Sequence, residues 1–193
     1  MDVKGKIELR ALTAGCIADL ERLFAPHAVT NACWCMWFIT SVKEFHAAGA
    51  DGNRGKFCSL MAASDEPMGV LAYLDGDPVG WCAAGPRARY ERAVKTPTLK
   101  GTEPAAGENV WFIPCFFIHP DARRMGLMRA LLAEAVRMAQ AHGATAIEGF
   151  PLASGRRPTG SDSQVGLEGV FADCRFEEVT RPSPSRVVMR RQL

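Results

Sequence analysis

Apolar residues fill nearly every position from Val110 to Ile118, a density and length that predict a buried central strand. Pro114 stands in its middle. Proline brings no N–H to a sheet ladder, so its presence predicts a bulge at which the strand bends away from a neighbour and a gap opens. Downstream the pattern turns helical. Apolar residues recur at 127/128, 131/132, 135/136 and 138/139, with Arg129, Glu134 and Arg137 among the polar positions, which predicts an amphipathic helix ending at Gly143. Earlier in the chain, residues 7–12 read as a short strand. Thr13 reads as the cap of a helix carrying Ile17, Leu20, Leu23 and Phe24 on one face, and residues 54–63 as a second helix. Apolar runs at 69–74 and 79–84 flank Asp75-Gly76-Asp77-Pro78, a strong hairpin signal, with Trp81 and Cys82 in the second arm. Residues 186–190 form a last short strand.

The passage from the Pro114 strand into the helix, His119-Pro120-Asp121 followed by Arg123-Arg124-Met125-Gly126-Leu127-Met128, has the composition of an anion site. The first turn of a helix leaves about four N–H groups unpaired at the positive end of the macrodipole. Gly126 allows close approach of backbone and ligand, and Arg123, Arg124 and Arg129 can pair with phosphate oxygens. A strand-turn-helix unit with merely solvated arginines is the competing reading.

The segment FFIHPDARRMGLM resembles motif A of the GNAT N-acetyltransferase superfamily, a strand ending in V-x-P followed by R-G-x-G-x-G/A. Ile118 and Pro120 match V-x-P, and Arg123, Gly126 and Leu127 match the Arg, the second Gly and the apolar residue. Arg124 replaces the first Gly and Met128 the small final residue, which implies a more crowded cradle whose main-chain donors nonetheless remain. The resemblance continues through residues 146–151 as the next strand and residues 170–179 as the closing helix and the turn into a sixth strand, covering about residues 108–193. It implies one α/β (α+β) domain over residues 1–193. The expected fold has three layers around a mixed, strongly twisted sheet of six to seven strands, with a bulged, splayed fourth strand and helices on both faces. It further implies acetyl-CoA as cosubstrate, no metal, and a cofactor site made of Phe116, Phe117, Ile118, Arg123, Arg124, Met125, Gly126, Leu127, Met128 and Arg129.

Composition fits a single globular domain: 193 residues, 48% hydrophobic and 23% charged. A net charge of +2 argues against a dedicated nucleic-acid binder. No apolar run approaches the roughly 20 residues needed to span a bilayer, and the charged start of the chain is unlike a signal sequence, so a cytoplasmic location without a membrane partner is expected. Seven scattered cysteines read as reduced, buried thiols. Cys33-Trp34-Cys35 lacks the second ligand pair of a zinc site, so zinc and redox chemistry are the minor readings and an aromatic wall or core packing the leading one. Exposed strand edges and the aromatics near Trp34 and Trp111 suggest a homodimer.

For acyl transfer to an amine, the resemblance implies pantetheine lying along residues 115–118 and an oxyanion stabilised by a strand N–H. Glu148, on the strand across the gap, is the candidate base, set against a solvent-facing or Arg-paired alternative; His119 is a second candidate. The family's closing helix usually offers a Tyr as acid, and the matching residue here is Phe171. Cys174 is the candidate substitute, alongside Ser161, Ser163, Tyr73 and Tyr90. Trp34, Trp37, Trp81 and Asp162 are candidates for the acceptor pocket, with Phe38 beside them. Residues 87–108 and 153–166 read as mobile surface loops whose charges point to no single acceptor. Two functions follow: an acetyl-CoA-dependent N-acetyltransferase acting on a small-molecule or peptide amine, or a CoA-binding sensor or interaction module with little catalysis. A nucleotide-binding fold is disfavoured, since neither GxxxxGK[ST] nor GxGxxG after a strand occurs.

Overall fold

A computed structural model describes residues 5–155 and 164–193. Seven strands form one sheet in the order β1-β2-β3-β4-β5-β7-β6. They are β1 Ile7–Ala11, β2 Gly69–Leu74, β3 Asp77–Pro86, β4 Val110–Ile118, β5 Ala146–Gly149, β6 Glu177–Ser183 and β7 Arg186–Gln192. Only β4 and β5 pair in parallel; every other pairing is antiparallel. Helix α5, Leu127–Ala141, makes the β4–β5 crossover, and α6, Glu168–Asp173, lies beside it. The opposite face carries α1 Ile17–Phe24, α2 Ala28–Cys33, α3 Val42–Ala63 and α4 Glu91–Val94.

The hairpin closes through Asp75 and Gly76, both at positive φ (53° and 93°), as a two-residue turn requires when its twist matches that of the strands. Strand β3 therefore starts at Asp77, earlier than the apolar run indicated. Helix α3 is much longer than residues 54–63. Its amino-terminal half is capped by Ser41, whose hydroxyl accepts from the Glu44 N–H while Glu44 bonds back to the Ser41 N–H, and it kinks at Gly49, φ 61°. Weak apolar periodicity in that half conceals it. Strand β5 stops at Gly149, two residues short of the expected end.

The β4 bulge is written in its side chains. Before Pro114, Trp111 and Ile113 face the α5 layer and Phe112 the other; after it, Phe116 faces α5, and Cys115 and Phe117 face the other. Odd and even positions have exchanged faces, which one extra residue does to a period of two. The ladder agrees, with Ala83 opposite Cys115 but Gly85 opposite Phe112. Pairing with β5 runs from Val110 to Ile113 and ends. From Pro114 onward that edge of β4 has no strand beside it among the described residues, so the splay lies where Pro114 predicted.

The residues 87–108 do not form a mobile surface loop. Tyr90, Leu99 and Thr102 are buried, and Arg89 donates to the Pro67 carbonyl (2.8 Å) and the Ser64 hydroxyl (2.7 Å). Trp34 and Trp111 are likewise internal, so the aromatic surface expected to favour a homodimer is absent there. No helix among the described residues is long and apolar enough to cross a membrane.

Candidate functional site

After β4 the chain makes one tight turn, Pro120–Ala122, then passes through Arg124 at φ 63° and Gly126 at φ 78° into α5. Both left-handed residues fall at the two glycine positions of the motif. At Gly126 the conformation costs nothing, whereas at Arg124 it costs about 1–2 kcal/mol. Ala130 N–H makes the first helical bond, to the Gly126 carbonyl (3.2 Å). The N–H groups of residues 124–129 have no backbone acceptor among the described residues, and this segment is the candidate cradle. Arg123 and Arg124 are exposed and make no ion pair among the described residues, while Arg129 pairs with Asp173 on α6. Met125 and Met128 pack their side chains on the α5-side core with Leu127 and Ile118, so Met128 finds the apolar slot its size demands.

Beside the cradle, the opening between β4 and β5 is lined with phenylalanine. Phe171 of α6 is fully buried, edge-on to Phe116 (ring centroids 6.1 Å apart) and to Phe176 (4.9 Å). A Cβ at Gly149 would lie 2.6 Å from the Phe171 ring, and one at Gly166 2.7 Å from it. Two glycines thus make the seat for this ring. On the other face, Phe112 stacks on Phe150 at 5.4 Å and Phe38 meets Phe150 edge-on.

Glu148 was expected across the gap either as a partly desolvated base or as a carboxylate paired with Arg, and its surroundings are those of the paired carboxylate. Its carboxylate is wholly buried and accepts from two guanidiniums: Arg87 Nε on one oxygen, Arg190 Nη2 (2.8 Å) and Nε (3.1 Å) on the other. Arg87 also donates to the Thr102 hydroxyl (3.2 Å), and Arg190 to the Thr102 carbonyl (2.8 Å). A carboxylate so engaged holds the β5–β7 pair against the β3–β4 connection, and removing one partner would strand a buried charge. The Arg-paired alternative from the sequence is the one observed. Arg87, Arg190 and Thr102 lie far from Glu148 in the chain, and no local pattern marks them.

Cys174 caps α6 at its carboxyl end, buried in the α5-side core, and burial raises its thiol above the ordinary value. Of the other acid candidates, Tyr73 on β2 donates to Asp19 on α1 (2.8 Å), while the buried Tyr90 hydroxyl has no hydrogen-bond partner among the described residues. His119 accepts the Asp121 N–H on Nδ1 (3.3 Å) and meets His27 edge-on. Asp162, Ser161 and Ser163 lie outside the described residues.

The tryptophans divide. Trp34 and Trp81 are fully buried, Trp34 against Phe24 (5.4 Å) and Phe57 (5.7 Å), which is core packing. Trp37 is half-buried and carries the Arg92 guanidinium 3.6 Å over its ring. Trp34 and Cys35 occupy consecutive left-handed conformations, φ 47° and 56°, a local strain of about 1–3 kcal/mol each that neither residue type advertises. The turn brings Cys35 Sγ to the Trp81 indole N–H (3.3 Å). Among the described residues no group of three or more His, Cys, Asp or Glu is arranged to hold a metal ion.

Several solved structures share this architecture. An aminoglycoside N-acetyltransferase in complex with CoA superposes with a TM-score of 0.57 at 15% identity, over 94% of both chains. A ribosomal-protein-alanine N-acetyltransferase from Brucella melitensis gives 0.56 at 17% identity, over 96% of this chain and 99% of that one. An agmatine N-acetyltransferase variant gives 0.59 at 12% identity, over 97% of this chain and 100% of that one. No curated protein matches the sequence significantly. These likenesses speak for the fold. The family is shown by the sequence itself: the model of the acetyltransferase (GNAT) family matches residues 29–151, reaching from α2 through the bulged β4 and the cradle to the end of β5, and the chain belongs to that family.

Proposed function

We propose that the protein is an acyl-CoA-dependent N-acyltransferase that moves an acetyl group from acetyl-CoA to a primary amine of a small molecule or peptide in the cytoplasm. The observation that carries this reading is the row of amides at 124–129 without acceptors among the described residues, next to the exposed Arg123 and Arg124, at the end of a strand edge with no described neighbour. Such amides at a helix start fit a diphosphate, with Arg123 and Arg124 neutralising its charge. The open edge of β4 from Pro114 to Ile118, flanked by Phe116 and Phe117, suits an extended amide-bearing chain, which would lie against it as an added strand. Bound there, acetyl-CoA supplies an activated acyl group as its thioester. A β4 N–H at the bulge then stabilises the negative charge that develops on the carbonyl oxygen. Trp37, the half-buried tryptophan, is the wall proposed to meet the acceptor.

With Glu148 held between Arg87 and Arg190, the acceptor amine enters neutral or gives its proton to solvent. Phe171 has no proton to give a departing thiolate, and an alkyl thiol of pKa about 8.5 leaves tolerably near neutral pH without one. Glu148, engaged by two guanidiniums, and Phe171, which has no proton to give, favour a second reading, a CoA-binding module that turns over little.

Release of free CoA from acetyl-CoA across a panel of diamines, aminoglycosides and amino-terminal peptides separates the two. Amine-dependent release above the hydrolytic background supports the enzyme; saturable binding without release from any amine supports the module.

A further inference from the structure

Three of the seven cysteines, Cys33, Cys35 and Cys115, line one cavity of about 20 Å³ between α2 and β4, together with Trp81, Phe117 and the polar Thr30 and Gln164. Val29, 66% exposed, is among its lining residues, and Cys35 and Cys115 keep 6% and 8% exposure. A volume of about 10–15 Å³ suffices for one water-sized molecule. From the geometry we infer that Cys35 and Cys115 form a peroxide-reactive thiol pair, with Cys35 the attacking sulfur and Cys115 the resolving one.

Several observations assign those roles. The left-handed turn at Trp34 and Cys35 aims Cys35 Sγ at the Trp81 indole N–H, 3.3 Å away, a donor that stabilises a thiolate. The Cys115 thiol beside Cys35, and then the Trp81 N–H, lower the Cys35 thiol from its ordinary value against the opposing effect of burial. Cys115 is driven the other way, first by its contact with Cys35 and then by burial. Cys33 is also pushed up, to about 11, by burial and by the charge of Cys35.

The Cys35 thiolate attacks one oxygen of hydrogen peroxide; the O–O bond breaks, a sulfenic acid forms, and the departing hydroxide takes a proton to become water. The Cys115 sulfur then attacks the sulfenic sulfur, the S–O bond breaks, the S–S bond forms, and the thiol proton leaves with the hydroxyl as a second water. Two thiols are oxidised by two electrons and one peroxide is reduced to two waters. The product ties the strained turn to β4 one residue past Pro114.

The test uses the reduced full chain without acetyl-CoA, so its outcome is independent of the proposed acyltransferase activity. The protein is exposed to hydrogen peroxide, denatured in a thiol-alkylating reagent, and mapped by peptide mass spectrometry. Expected are the loss of two alkylatable thiols out of seven and a cross-linked pair of peptides containing Cys35 and Cys115. Cys115→Ala is expected to stop at a sulfenic acid on Cys35 that a cyclic dione traps, and Cys35→Ala to leave Cys115 reduced. The pairing is overturned if the more exposed Cys16 and Cys58 oxidise while Cys35 and Cys115 remain alkylatable, or if the cross-link joins Cys33 to Cys35. Should either variant fail to fold, the wild-type map alone decides.

Discussion

Arginines gather at two places in this chain, the cradle at the start of α5 and the cluster around Glu148, and the two differ in what has already been satisfied. In the cradle, Arg123 and Arg124 are exposed in a segment whose amides lack acceptors among the described residues. Around Glu148, two guanidiniums, one carboxylate and Thr102 satisfy one another with almost no exposure. An unfilled set of donors at the surface is a request for an anion, whereas a closed, buried set is a strut. Charge alone does not distinguish them; the hydrogen-bond account does.

The largest effect expected from breaking this contrast is on stability. Glu148→Ala leaves Arg87 and Arg190 buried without their counter-ion, and chemical unfolding should report a loss of about 3–5 kcal/mol. Acetyl-CoA affinity should stay within a few-fold in the protein that remains folded. A Glu148→Ala protein of unchanged stability but abolished turnover would restore the base assignment.

The mirror experiment removes the cradle charge. Arg123→Ala with Arg124→Ala should weaken acetyl-CoA binding by about 10- to 100-fold, the range for losing charge-assisted hydrogen bonds, without lowering the unfolding midpoint. Calorimetry and urea unfolding on the same preparation check both halves.

Phe171→Tyr probes the ground between the two regions. A phenol on this buried ring adds a proton donor at the opening while burying a hydroxyl, expected to cost about 1–3 kcal/mol if it stays unpaired. Steady-state kinetics should show kcat rising with little change in the KM for acetyl-CoA. A fall in kcat would show that the gap excludes the hydroxyl.

The smallest effect belongs to Arg124→Gly. Glycine relieves the left-handed backbone but adds freedom to the unfolded chain, so a gain of no more than about 1 kcal/mol is expected, accompanied by weaker acetyl-CoA binding. Stability and affinity moving in opposite directions would identify Arg124 as a ligand-facing residue held in strain.

The cradle and bulge were legible because each is local. Pro114 in an apolar run, a turn of Arg and Gly, and a helical period behind it all lie within some thirty consecutive residues, and the side-chain parity across Pro114 follows directly. The Glu148 cluster was not legible, since its partners stand 61 and 42 positions away and meet only through the ordering of β5, β7 and the β3–β4 connection. The same limit applies to Trp34 and Cys35. Neither residue type signals a left-handed turn, so the convergence of Cys35, Cys115 and Trp81 is a product of packing across the α2–β4 boundary. Residues 87–108 misled in the opposite sense: their Arg, Lys, Thr and Pro look solvated, while Tyr90, Leu99 and Thr102 anchor them inside.

The most direct measurement is calorimetric titration of the purified protein with acetyl-CoA, since it interrogates the unsatisfied amides of 124–129 before any acceptor is chosen. Saturable binding near one per chain, lost on replacing Arg123 and Arg124, is the predicted result. Absence of binding by a folded protein would mean that Arg124 and Met128 have closed the cradle, and it would contradict the acyltransferase and the CoA-binding module together.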